Sequence, residues 1–370
     1  MIVGVPREVK DSEDRVGLTP DGVDELVRAG ARVLVEASAG EGIGVHDEEY
    51  RGAGASIVGV DAVWEDSDLV IKVKEPQPAE RKRLHHGQTL FAYLHLAPDP
   101  QQAQDLLASG AACIAYETVT DAAGALPMLA PMSQVAGRMS VQAAAHFLEG
   151  PHGGSGRLLG GVPGVPAAKV VIIGGGTAGE NAASIAVGMG ADVTVLDRNP
   201  AVLDHLDRRF GPAISTQYST GGAIDRLVVG ADVVIGAVLI RGARAPRLVT
   251  RDHVARMRPG SVIVDIAIDQ GGCCETSRPT THSEPTYVVD GVVHYCVTNM
   301  PGGVAATSTA ALTHATLAAA VALVRFGTEE ALRRDPHLRD GLNVYRGRIT
   351  DAAVAEALGL SYVDPLEALA

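Results

Sequence analysis

The sequence predicts an α/β protein made of two blocks of parallel β-structure flanked by helices. Three observations carry that expectation. At 370 residues the chain is long enough for two domains of roughly 150 residues, each able to bury its own core. Short apolar runs alternate with amphipathic stretches, as they do when parallel strands are covered by helices. Near the middle, a Gly- and Pro-rich stretch from Gly150 to Gly164 interrupts the alternation and marks a connection.

The elements follow in order. Ile2 to Val5 reads as a strand, and Thr19-Pro20 supplies an N-cap and a first-turn proline for a helix over Asp21 to Ala29, closed by Gly30. Strands are expected at Arg32 to Val35, Leu69 to Val73, Thr89 to Leu94 and Cys113 to Tyr116, with a helix over Gln101 to Ala108 between the last two. In the second block, the β-branched runs Val170 to Ile173, Val193 to Leu196, Val233 to Val238 and Val262 to Ile266 suit strands buried on both faces. The spacing of Val135, Met139, Ala143 and Phe147 fits a helix over Ser133 to Glu149 bridging the blocks. Thr307 to Phe326 is an Ala-rich helix.

Composition excludes several functions. With 31 Lys+Arg against 44 Asp+Glu the net charge is −13, and no basic run offers a phosphate-binding surface, so nucleic acid is not an expected partner. Hydrophobic residues make up 46% of the chain, too many for disorder. The most apolar window, Ala315 to Val324, lies between His314 and Arg325 and is shorter than the ~18 apolar residues of a membrane span. The N-terminus turns charged at Arg7, Glu8 and Lys10, unlike a signal peptide. Cys113, Cys273, Cys274 and Cys296 make no Cys-x-x-Cys pair and read as buried thiols packed as small hydrophobes. A cytoplasmic protein without a metal site is expected.

The strand Lys169 to Ile173 runs directly into Gly174-Gly175-Gly176-Thr177-Ala178-Gly179. Gly174, Gly176 and Gly179 have the G-x-G-x-x-G spacing, followed by an Ala-rich helix and a second strand ending at Asp197. Gly174 permits the tight turn, Gly176 lets the backbone approach a pyrophosphate, and Gly179 lets helix and strand pack closely. Free N–H groups at the helix start hold the anion. Asp197 is placed to accept hydrogen bonds from the adenosine ribose and to repel a 2′-phosphate, which favours NAD over NADP. An arginine in the place of its neighbour Arg198 can accommodate a 2′-phosphate; here Arg198 is expected to stack on the adenine edge or face solvent.

Polar residues gather just past predicted strand ends, where open α/β sheets bind ligands. Lys72 and Lys74 end the strand from Leu69, His95 ends that from Thr89, Asp269 follows that from Val262, and Arg15 lies in the charged loop after the first strand. They offer cations, an imidazole and a carboxylate.

Arg15-Val16 ahead of Leu18-Thr19-Pro20, Lys72 to Pro76, Tyr93 to Leu96, Ala130 to Ser133, Gly161 to Gly164, Asp265 to Gly272 and Asn299-Met300-Pro301 together resemble the alanine dehydrogenase family, in the same order over essentially the whole chain. The resemblance implies two doubly wound domains flanking a cleft: a Rossmann NAD-binding domain, 129–306, and a discontinuous substrate domain, 1–128 with 307–370. It implies that Arg15 binds the substrate carboxylate and that Lys74 pairs with it or polarises the keto oxygen. His95 becomes the general acid/base, and Asp269 orients water or ammonia. The dinucleotide would touch Ser133, Thr177, Ala178, Asp197, Ser219, Val238, Leu239, Ile266, Ala267, Ile268, Asp269, Arg278, Val297, Thr298, Asn299 and Met300. Where the family often has a basic residue shortly after the ribose-binding aspartate, this chain has Val202.

The implied reaction is reversible: L-alanine, water and NAD give pyruvate, ammonia and NADH, in a homo-oligomer of the hexameric kind. Arginine suits a carboxylate because its fork binds bidentately, and imidazole takes and returns protons near neutral pH. A methyl pocket discriminates only modestly against smaller groups, which keeps glycine or glyoxylate open as side substrates. Three alternatives stand beside this reading: a transhydrogenase nucleotide-binding subunit, a saccharopine-dehydrogenase-like enzyme, and a catalytically silent NAD-sensing module.

Overall fold

The computed structural model describes residues 1–238 and 245–370. The chain divides into two compact units, 1–132 with 304–370, and 133–303. The first segment contributes β1 (Ile2–Val5), β2 (Arg32–Glu36), β3 (Ser56–Val58), β4 (Leu69–Ile71), β5 (Thr89–Ala92) and β6 (Ala112–Ala115). The second unit holds β7 (Lys169–Ile173), β8 (Asp192–Asp197), β9 (Ile214–Tyr218), β10 (Val233–Gly236), β11 (Val262–Asp265), β12 (Thr286–Val289) and β13 (Val292–Tyr295). The chain then adds β14 (Leu342–Tyr345) and β15 (Arg348–Ile349) to the first unit.

The eight-stranded sheet runs β15-β14-β6-β5-β4-β1-β2-β3, and the seven-stranded sheet runs β12-β13-β11-β10-β7-β8-β9. Pairing is parallel except at β14 and β15 in the first and at β12 in the second. Each sheet starts at its middle, winds outward one way and then the other. The order therefore reverses between β1 and β4, and again between β7 and β10. At such a switch point the loops leave in opposite directions and open a crevice at the carboxyl ends of the strands.

Local chemistry accounts for the expected elements. Thr19 caps the helix Pro20–Arg28 by accepting from the Gly22 N–H at 3.2 Å, and Gly30, at φ +98°, ends it. The expected helices over Gln101 to Ala108, Ser133 to Glu149 and Thr307 to Phe326 appear as Pro100–Ser109, Ala130–Phe147 and Ala305–Phe326. Three strands end two residues earlier than expected, at Ile71 rather than Val73, at Ala92 rather than Leu94 and at Gly236 rather than Val238. Just past β4 and β5 the backbones stay hydrogen-bonded, the Lys72 N–H donating to the Phe91 carbonyl at 3.2 Å and the Tyr93 N–H to the Val73 carbonyl at 3.0 Å.

The C-terminal helix needs a correction. Together with its leading turn, Met300–Phe326 is long and apolar enough, by length and composition, to cross a membrane. Its buried face, Leu312, Ala320 and Leu323, packs in the core of the first unit against Val16, Leu18 and Val23. Two threonines on that face serve the site loop: Thr309 Oγ1 accepts from the Val16 N–H and Thr313 Oγ1 from the Thr19 N–H, each at 3.2 Å. One face of the helix is thus part of the core of the first unit.

Candidate active site

In the first unit, β1, β4 and β5 lie side by side at the switch point, and the segments leaving them carry Arg15, Lys74 and His95. Arg15 is almost fully buried. Glu13 holds the Nε–Nη2 edge of its guanidinium as a fork, at 2.6 and 2.5 Å, and Nη1 lies 3.0 Å from Met132 Sδ. Arg15 also walls a small polar cavity with Arg7, Glu8, Asp14 and Ser38. Neither Lys74 nor His95 lines it.

Lys72 and Lys74 separate by environment. Lys72 is fully buried, its Nζ 2.7 Å from Glu8 Oε2 and 3.5 Å from Glu80 Oε2. Glu8 Oε1 accepts from the Val73 N–H at 2.6 Å, and the Lys72 ammonium donates to the Lys74 carbonyl at 3.2 Å. This buried knot fixes the backbone from which Lys74 projects. Lys74 itself is half-buried. Burial, and then the charge of Arg15, lower its pKa below the ordinary lysine value, with Lys10 adding to the effect against Glu75 and Glu13. Arg15 and Lys74 thus share one electrostatic neighbourhood.

His95 stands at φ +48°, a left-handed backbone that histidine tolerates better than most residues but that still needs outside support. Glu117, two residues past β6, supplies it. Its Oε1 accepts the His95 N–H at 2.6 Å and the Leu94 N–H at 3.1 Å, and lies 3.7 Å from His95 Nδ1. The imidazole stacks parallel to Tyr93, with centroids 5.8 Å apart, and Tyr93 is pinned by its hydroxyl donating to the Met128 carbonyl at 2.6 Å. The ring is 46% exposed, anchored and open on one side.

In the second unit, the glycine turn follows β7 at the other switch point. Gly174 has φ +102°. A Cβ on Gly179 would lie 1.8 Å from the Gly174 carbonyl oxygen, so any side chain there breaks the strand–helix contact. Gly176 is the N-cap of the helix Thr177–Gly188 without a side-chain cap, and a Cβ on it would meet nothing within 4 Å. The helix start therefore presents bare N–H groups to open space, the cradle an anion requires. Asp197 accepts from the Gly175 and Asn199 N–H groups, each at 2.7 Å, and keeps a lone pair on each oxygen for further donors. Val202 has a packing reason: its Cγ1 lies 2.8 Å from where a Gly175 Cβ would be, beneath the glycine turn.

The remaining expected residues gather at the same edge of this sheet. Ser219 follows β9, with its N–H on the Asp197 carbonyl at 2.9 Å, and Val238 follows β10. Ile266–Gln270, which includes Asp269, forms a turn after β11. Asp265 holds this turn by accepting from the Cys273 N–H at 2.9 Å and Ser277 Oγ at 2.6 Å. Asp269 is exposed, whereas Ala267, Ile268, Val297 and Met300 are buried. Those four can meet a ligand only through the main chain or a small remaining surface. Thr298 and Asn299 follow β13 and are half-buried, Asn299 at φ +56°. Ser133 lies in the first turn of Ala130–Phe147. Arg278 is held over the Tyr287 ring at 4.0 Å, and Arg198 is exposed. Leu239 lies outside the described residues.

Sequence reasoning missed the acidic partners. Glu13, Glu8, Glu80 and Glu117 fix the cationic and imidazole side chains, and a signal existed for two of them. Glu13 is two residues from Arg15, and Glu117 leaves the strand next to the one that ends before His95. The four cysteines are free and buried.

These features define a two-unit α/β protein whose second unit is a Rossmann fold with a glycine-turn anion cradle. Models of alanine dehydrogenase/PNT match the chain twice, the N-terminal domain over residues 4–136 and the C-terminal domain over 140–352, and the chain belongs to that family. It is 57% identical over 365 residues to the alanine dehydrogenase of Halomonas elongata, covering 98% of each chain. Among solved structures it resembles an L-alanine dehydrogenase with a TM-score of 0.94 at 49% identity, over 97% of this chain and 99% of that one. It also resembles a transhydrogenase from Sinorhizobium meliloti, with a TM-score of 0.84 at 25% identity, over 94% and 100%.

Proposed function

We propose that this protein is an oxidoreductase that converts L-alanine, water and NAD reversibly into pyruvate, ammonia and NADH. The observation that carries the proposal is that Arg15, Lys74 and anchored His95 follow β1, β4 and β5, three strands side by side at the switch point of the first sheet, a placement that suits a small 2-oxo acid or amino acid. The whole-length likeness to proteins named alanine dehydrogenase supports the same reading. The substrate role falls to 1–128 with 307–370, the cofactor role to 129–306, in a cytoplasmic homohexamer.

The glycine turn fits a dinucleotide. Its bare N–H groups and open Gly176 would take the pyrophosphate, and the spare lone pairs of Asp197 would take the ribose hydroxyls. When bound, NAD supplies the hydride acceptor. The chain's own residues do the rest. Arg15 holds the carboxylate and so fixes the orientation of Cα. Lys74 stabilises negative charge growing on oxygen in the carbinolamine and on the pyruvate carbonyl. His95 takes the proton of water as it adds to the iminium carbon and returns it when ammonia departs. Asp269 holds that water in line.

The direct test is NADH absorbance with purified protein, ammonium and a panel of 2-oxo acids. Oxidation that is fast with pyruvate, slow with 2-oxobutyrate and absent without ammonium is the expected result. Oxidation by pyruvate alone would make the protein a hydroxyacid reductase. NADH binding without turnover on any acid would favour the transhydrogenase-like or sensor reading.

Two further outcomes follow from the geometry. Asp197→Ala should raise the NAD dissociation constant roughly 10–100-fold, since hydrogen bonds to a charged group contribute about 1.5–3 kcal/mol, while KM for alanine changes little. Unchanged NAD affinity, measured by fluorescence titration, would remove Asp197 from the cofactor site. Because the pKa of Lys74 is lowered, the ammonium is lost at a pH below the ordinary lysine range. Pyruvate binding to the protein–NADH complex, measured without ammonia, should weaken on that alkaline limb. Lys74→Arg should abolish the limb, since arginine stays charged; a limb unmoved by that substitution belongs to another group.

A further inference from the structure

Away from these residues, the structure assembles a cluster that Cys/His spacing in the sequence does not advertise. We propose that His146, Glu149 and His152 form a binding site for a divalent transition-metal ion of the zinc, nickel and copper class.

The backbone builds the site first. The helix Ala130–Phe147 passes through Leu148 and Glu149 into a tight turn, Gly150–His152. The Glu149 N–H donates to the His146 carbonyl at 3.2 Å, and the His152 N–H to the Glu149 carbonyl at 3.1 Å. Two successive i to i+3 bonds mean three residues per turn, so side chains three apart stack on one face. The spacing His-x-x-Glu-x-x-His uses that geometry in full.

The turn is fixed from below. Pro151 presets its backbone, Gly153 takes φ +87°, and the Gly154 N–H returns to the Glu149 carbonyl at 3.1 Å. Gly154 has no room for a side chain, because a Cβ would lie 2.2 Å from the Phe147 carbonyl oxygen. The Phe147 ring packs edge-on against both imidazoles, with centroids at 5.0 and 6.0 Å, and leans on Tyr295 at 5.7 Å.

The donor atoms converge above this base. The two imidazole rings lie 3.9 Å apart, tilted by 38°, and His152 Nε2 is 3.7 Å from Glu149 Oε2. One donor atom from each of the three residues lies within 4.8 Å of the others. Metal–ligand bonds of about 2.0–2.2 Å need donors somewhat closer than that, an adjustment that exposed side chains make by small rotations. Two imidazole nitrogens and one carboxylate suit zinc, nickel or copper, whereas calcium and magnesium prefer all-oxygen shells. Three protein donors leave a position for water or a further ligand.

The test uses the full-length protein, stripped with a chelator and titrated with Zn²⁺ alone by calorimetry and equilibrium dialysis. One ion per chain is expected. His146→Ala and His152→Ala should each weaken binding by roughly 10–100-fold or more, since even outer partners of metal ligands matter that much. His205→Ala, which removes an exposed histidine beside a different carboxylate, Glu180, should leave it unchanged. Because the three positions are exposed, melting curves of the variants should match the parent. No stoichiometric uptake by the parent protein overturns the proposal, as does uptake undiminished in both histidine variants.

Discussion

His95→Ala is expected to lower turnover in both directions by about 10²–10⁴-fold, the usual contribution of a positioned general acid/base, while NADH still binds. The expectation is sharp because the substitution removes the ring and adds only the small backbone cost of alanine at φ +48°. The backbone bonds from the Leu94 and His95 N–H groups to Glu117 do not involve the imidazole, and the side chain is already half exposed. A large loss of activity therefore cannot be assigned to a collapsed core. Initial rates of NADH oxidation and of NAD reduction, with NADH binding followed by fluorescence, give both halves of the result. Near-normal turnover would take His95 out of the chemistry. Loss of NADH affinity together with turnover would mean that the residue serves structure instead.

The parts of this molecule written in local sequence were legible before folding. Thr19-Pro20 announced a helix start because capping is a contact between neighbours. The glycine turn was readable because each glycine answers a requirement set within a few residues. Strand ends carrying Lys74, His95 and Asp269 could be found because the runs before them are apolar and short.

What could not be read depends on partners distant in sequence. The edge strand β9 has the mixed pattern Ile-Ser-Thr-Gln-Tyr and acquires its identity only by pairing with β8. β14 exists because it pairs antiparallel with β6, more than two hundred residues earlier. Lys72 and Lys74 are indistinguishable by alternation. Only the arrival of Glu8 and Glu80 makes the first a buried structural cation and leaves the second beside Arg15.

That distinction yields the largest expected effect on stability. In Lys72→Met, Glu8 and Glu80 lose the ammonium between them while remaining buried. Breaking a buried pair by removing one partner costs about 3–5 kcal/mol, and each kcal/mol is worth about 2–4 °C in Tm for a unit of this size. The sign with pH is fixed by linkage. Burial raises the Glu80 pKa even in the parent protein, against the pull of Lys72, and without Lys72 it rises further. A group whose folded pKa exceeds its unfolded value gives stability at low pH that is lost as pH rises through the folded value. The Tm deficit should therefore be large in neutral and alkaline solution and shrink on acidification, as the stranded carboxyls take up protons. Lys72→Met/Glu80→Gln should recover part of the loss, because glutamine can still accept the Gln77 N–H that Glu80 now caps. Activity should suffer as well, since the Lys72–Glu8 knot holds the main chain at Val73 and Lys74. Melts of the single and double variants across the pH range decide the matter. A deficit independent of pH, or none at all, would show that the buried charges are not what holds this loop.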